Sequence, residues 1–142
     1  SFEVKEKINE NIQNYNQYAD SLKDVKEKIF SIFNKIKSNN HSVAFYGSGH
    51  IASTFINIFD LSEYIEFVID DDENKTVLRM PGSGIPIYQC DQIDLKQIDF
   101  CFTAMSYENE QKVIKKNQEF IRNGGQLVPI SPNAAYSVYD ML

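Results

Sequence analysis

Apolar residues fall at two spacings along this chain, and the switches between them mark the elements. Between Ile8 and Ile36 there is neither Gly nor Pro, and Tyr15, Tyr18, Leu22, Val25, Ile29, Ile32 and Ile36 alternate three and four residues apart. That spacing predicts one long helix, Ile8–Ser38, carrying an a/d seam over about three heptads. Phe30 and Phe33 widen the apolar face toward the C-terminal end, so Ile29, Phe30, Ile32, Phe33 and Ile36 are expected to lie on a sheet. The stretch Tyr15–Val25 reaches too far along the helix to share that cover. Two partners remain open for it: another domain of a longer polypeptide, or a second copy in a homodimer. Asn11, Asn14 and Asn16 crowd the early seam and weaken a self-sufficient zipper, which favours the first.

After Lys37–His41 the spacing changes. Val43–Tyr46 is a short apolar run, Gly47-Ser48-Gly49 a tight turn, and a helix opens at His50 or Ile51 with Ile51, Phe55, Ile58 and Phe59 as its stripe. A second strand, Tyr64–Asp70, ends in the acidic turn Asp70–Glu73. Met80–Gly84 reads as a loop and Ile85–Tyr88 as an edge strand, because Pro86 cannot complete a central ladder. Asp91 is placed to cap a short helix through Leu95. A strand follows over Ile98–Met105, then a helix from the N-cap Ser106 to Asn123, closed by Gly124-Gly125. Gln126–Ile130 is the last strand, and Ser131-Pro132 suits the start of a short terminal helix. The alternation predicts an α/β fold with a doubly wound parallel five-stranded sheet in the order 3-2-1-4-5, preceded by the long helix.

The totals narrow the function classes. A chain of 142 residues with 42% hydrophobic content supports one domain with an ordinary core. The net charge of −6, without a basic stripe, argues against nucleic acid as a partner. The longest apolar runs fall well short of the roughly 18 residues of a membrane span. No signal peptide is legible, so the expected setting is the cytoplasm, with Cys90 and Cys101 as free thiols. With only His41 and His50 as histidines, a structural metal site is not expected. The chain opens at Ser1 rather than at a methionine, which reads as a piece of a longer protein.

Candidate chemistry gathers where the strands end. Gly47, Gly49 and Ala52 form G-x-G-x-x-A between a strand and a helix, where free N–H groups and the helix dipole favour an anion. Asp70 closes the second strand, where a dinucleotide fold places the acid that holds ribose hydroxyls. On that pattern a small NAD(P)- or nucleotide-binding domain remains an alternative, as does a pure oligomerisation module built on the seam. The run Asp70–Glu73 lacks the glycine and distal Glu of an EF-hand and reads as a solvated turn. His50 and Tyr107 have acid–base chemistry, against plainer roles as a helix-start residue and a cleft wall.

Taken together, VAFYGSGHIASTF, FVIDDDENK, MPGSGIPI, IDFCFTAM with its following helix, and GGQLVPISP resemble the C-terminal domain of SAM-dependent C-methyltransferases of the nucleotide-sugar type. The resemblance spans Ile36 to Pro132. It implies a Rossmann-like domain over residues 41–142 that binds the acceptor and contains no SAM, and a connector helix over residues 1–40. SAM would be held by an upstream domain, and the fragment alone would be inactive. The ligand-side residues it implies are Tyr46, Gly47, Ser48, Gly49 and His50, with Asp70, Lys75, Pro81 and Gly82 in the other motifs. Many sugar-methylating members carry a small residue and then a lysine after the glycine turn; here those positions are His50 and Ile51.

Overall fold

The computed structural model describes residues 1–75 and 78–141. Helix α1 (Phe2–Ser38) leads into β1 (Val43–Tyr46), α2 (His50–Ile58), β2 (Phe67–Ile69), β3 (Ile87–Tyr88), β4 (Phe100–Thr103), α3 (Tyr107–Lys116), α4 (Gln118–Arg122) and β5 (Gln126–Pro129). The five strands form one sheet in the order β3-β2-β1-β4-β5, every pair parallel. This is the mixed α/β architecture and strand order that the alternation of apolar runs predicts. Among the described residues no helix is long and apolar enough to cross a membrane.

Side chains alternate across each strand, and the two faces have separate covers. Val43, Phe45, Val68, Phe100, Phe102 and Val128 meet α1 and α2 through Ile29, Ile32, Phe33, Ile36, Ala52, Phe55 and Ile56. Ala44, Tyr46, Ile69 and Cys101 meet Val113 of α3 and Phe120 of α4 on the other face. The sheet is thus the middle of three layers. Phe33 is fully buried, its ring centroid 5.0 Å from that of Phe102, and fixes where α1 crosses the sheet.

Several local expectations are corrected. On α1 the inward stripe is Ile29, Ile32, Phe33 and Ile36, whereas Phe30 is exposed, because it lies a helical step of about 100° from that face. Val25 does reach the core edge, further along the helix than expected. On α2 the sheet takes Ala52, Phe55 and Ile56, with Phe59 partly buried, and leaves Ile51 and Ile58 exposed. Ile51 and Ile58 each lie a helical step of about 100° from an inward residue, Ala52 and Phe59 respectively.

The segment before β2 is a 3-10 turn, Ser62–Tyr64, in which the Tyr64 hydroxyl donates to Asn34 Oδ1 at 2.8 Å. Strand β3 is shorter than expected, since Pro86 bridges back to Arg79 in an antiparallel pair and closes the Met80–Ile85 loop. Instead of a helix capped by Asp91 there are two 3-10 turns, Cys90–Gln92 and Leu95–Gln97, capped by Gln89 and Asp94. The helix after Ser106 breaks at Asn117, whose side-chain amide donates to the Val113 carbonyl at 2.8 Å and competes with the ladder. Ser131-Pro132 enters turns rather than a helix. The one helical turn after β5 among the described residues is Val138–Asp140, held by a capping box between Ser137 and Asp140. Val138 there is fully buried, so the tail is anchored by its apolar side chain.

Candidate functional site

Adjacent strands β1 and β4 send their connections to opposite faces of the sheet: α2 departs toward β2 on one side, α3 toward β5 on the other. The chains diverge beyond the carboxyl ends of the two strands and leave a crevice, the usual ligand position in open α/β sheets. A cleft of about 480 Å³ occupies that place. Tyr46, Gly47, Ser48 and Gly49 form one wall, Asp70, Asp71 and Lys75 a second, and residues of the β4–α3 connection with Asn109, Lys112, Val113 and Lys116 of α3 the third.

The two glycines of the turn do different work. Gly47 has φ +101°, and a Cβ there would stand 2.6 Å from the Ala104 carbonyl oxygen, so both backbone conformation and close approach to the end of β4 require it. Gly49 has φ −74°, an ordinary value, and a Cβ on it would meet nothing within 4 Å. Internal packing gives no reason for a glycine there. It is the N-cap of α2 with no side-chain capping bond, so first-turn N–H groups are left for solvent or ligand at the cleft wall.

Asp70 is turned onto the glycine turn itself. One carboxylate oxygen accepts from the Ser48 backbone N–H at 2.9 Å and from the Ser48 hydroxyl, while the other accepts from the Asp72 N–H at 2.9 Å. Lys75 stands 3.7 Å away. Burial alone would raise the Asp70 carboxyl, but the Ser48 side chain, the Asp72 and Ser48 N–H groups and the Lys75 charge together hold it below the ordinary carboxylate range. Two of its oxygen positions are therefore spent on shaping the loop, rather than free to grip a ribose diol.

Across the cleft, the Tyr46 hydroxyl donates to the Asp71 carboxylate at 2.9 Å and Lys116 Nζ bonds the same carboxylate at 3.2 Å. Burial, followed by hydrogen bonding to Cys90 and Asp71, pushes the Tyr46 phenol far up, so it stays protonated and serves as a fixed donor. Among the described residues, Lys112 is held only by an exposed contact of 3.9 Å to Glu108 one helical turn earlier. Three ammonium groups thus edge the cleft against two carboxylates that are already hydrogen-bonded within the fold.

Of the residues expected on the ligand side, Tyr46, Gly47, Ser48, Gly49, Asp70 and Lys75 converge on the cleft. His50 and Tyr107 begin α2 and α3, are exposed, and are not among its lining residues. The Pro81-Gly82 loop lies at the other end of α2, where Asn57 Nδ2 donates to the Pro81 carbonyl at 3.0 Å, so it does not stand near the cleft as expected. Asp71, expected in a solvated turn, lines the cleft instead and bonds Tyr46 and Lys116, and Asn109, Lys112 and Lys116 were not expected there. The last three share one face of α3 at spacings of three and four, and that periodicity was the available signal.

The family model described as the C-methyltransferase C-terminal domain matches residues 2–132. No curated protein matches the chain.

Proposed function

This chain belongs to the C-methyltransferase C-terminal domain family, and from that premise we propose that the cleft between β1 and β4 binds the methyl acceptor while an upstream domain of the same polypeptide holds SAM. The observation that carries this reading is Gly49: an open glycine at an uncapped helix N-terminus, inside a crevice edged by Lys75, Lys112 and Lys116. Such a wall suits an anionic group, and a nucleotide-linked sugar supplies one in its diphosphate. The ammonium groups of α3 would take the place of the lysine that many sugar-methylating relatives carry after the glycine turn. In this reading the domain binds and orients the acceptor, and the methyl transfer is performed with residues outside it.

An independent NAD(P) site is the second reading, favoured only by the strand–glycine turn–helix pattern. The commitment of Asp70 to Ser48 and Asp72 weighs against it. Titration of the labelled chain with a nucleoside diphosphate sugar, the bare nucleoside diphosphate, SAM and NAD separates the two. Binding of the first two with amide shifts at Gly49, Ser106 and Lys112 is expected. Micromolar binding of SAM or NAD at the glycine turn, without response to the sugar nucleotide, would overturn the assignment.

A further inference from the structure

The first 20 or so residues of α1 leave the α/β body, and their apolar stripe is bare: Val4, Ile8, Ile12, Tyr15, Tyr18 and Leu22 are all exposed. From Val4 to Leu22 the stripe runs about 27 Å along the helix at about 1.5 Å per residue. Its a/d seam continues in register into the buried Ile29, Ile32 and Ile36, so the bare part is the extension of a face that elsewhere is core.

Charge on this helix is sorted by face. With Ile8, Tyr15 and Leu22 at a, the positions beside the seam (e and g) between residues 5 and 28 hold Lys5, Lys7, Ile12, Asn14, Ala19, Ser21, Lys26 and Lys28. The six acids Glu3, Glu6, Glu10, Asp20, Asp24 and Glu27 all fall at c and f, on the side away from the seam. Lys5, Lys7, Lys26 and Lys28 are exposed, and among the described residues none of them has an ion-pair partner. Residues at e and g set partner choice in helix pairs, because they meet the partner's flanks across the seam. A second copy, parallel or antiparallel, would offer these lysines no carboxylate and would bring Asn11 into the seam at a d position.

We propose that the exposed stripe of α1 docks a heterologous amphipathic helix whose apolar seam is flanked by carboxylates, and that its lysine flanks select this partner over a second copy of the chain. Attraction to the acidic flanks and lack of compensation in the self-pair work in the same direction. The inference concerns a surface separate from the cleft and does not depend on which acceptor, if any, the cleft binds.

The probes are two synthetic heptad peptides with Ile at a and Leu at d, one with Glu at every e and g, the other with Lys there. Sedimentation of the chain alone at high micromolar concentration is expected to show a monomer. The Glu peptide should bind about tenfold or more tighter than the Lys peptide at low salt, with the gap narrowing as salt is added. The variant K5E/K7E/K26E/K28E should reverse that preference, with circular dichroism confirming that the helix and body remain folded. Equal binding of the two peptides, binding of neither, an unchanged preference in the variant, or a concentration-dependent dimer cross-linked through α1 would overturn the proposal.

Discussion

Ser48 donates twice to one oxygen of Asp70, through its backbone N–H at 2.9 Å and through its hydroxyl, and so ties the turn after β1 to the end of β2. An acid that the sequence pattern offers to a ribose is here a strut of the cleft wall. Replacing it shows what the strut is worth. Asp70→Asn keeps the shape but weakens the charge-assisted bonds, and should destabilise the fold by about 1–3 kcal/mol in chemical denaturation. The lowered carboxyl means that the native state binds fewer protons here than the unfolded chain. Its stabilisation is therefore complete above the ordinary carboxylate range and is lost as the pH falls through the native value.

The two glycines of the turn should separate stability from binding. Gly47→Ala meets a left-handed backbone conformation and the Ala104 carbonyl, and should cost about 1–3 kcal/mol or more. Gly49→Ala meets open space at an ordinary φ and should cost less than about 1 kcal/mol, as a poorer N-cap. If the cleft binds an anion at α2, Gly49→Ala should nevertheless weaken that binding. Thermal melts beside calorimetric titration check both halves.

Lys112→Ala removes a rim charge whose contact with Glu108 is weak and exposed, so stability should stay within about 0.5 kcal/mol. Affinity for a nucleoside diphosphate sugar should fall roughly tenfold at low salt and by less at high salt. An unchanged titration curve would place the anionic group elsewhere.

Glu110 occupies the buried face of α3, and burial raises its carboxyl above the ordinary value. The native state then binds more protons there than the unfolded chain, so stability falls as the pH rises through the window between the two values. At neutral pH the charged form carries a desolvation cost that Glu110→Gln removes. Melting temperature should therefore rise in the variant at pH 7, and the difference should vanish below the ordinary carboxylate range.

Neighbouring aromatic residues on α1 give the sharpest packing contrast. Phe33→Ala empties a fully buried site against Phe102 and should cost about 3–5 kcal/mol. Phe30→Ala, on the exposed side, should stay within about 0.5 kcal/mol. Comparable losses at both positions would mean that α1 is covered on a second face.

The order of strands, the long helix and the glycine turn were determined by the sequence alone, because each rests on a local cause. Periodicity assigns Val43–Tyr46 to a strand buried on both faces, and right-handed crossovers leave few arrangements for four such connections. Local causes also explain Ser106 as an N-cap and Gly124 at the end of α4. What the tertiary structure decided are the choices between nearly equal local alternatives. Ile51 and Ile58 match helical spacing as well as Ala52 and Ile56 do, and only the way α2 seats on the sheet buries the second pair and leaves the first exposed. Asn117 could continue a helix or break it, and its bond to the Val113 carbonyl breaks it. The site divided in the same way: Gly47, Ser48, Gly49 and Asp70 are visible as a motif, while Lys112 and Lys116 join them from α3 and turn the neighbouring Asp71 into part of the wall. A side chain on α3 reaches a carboxylate 45 residues earlier only because the sheet lays both beyond the same strand ends, and sequence spacing contains no record of that distance.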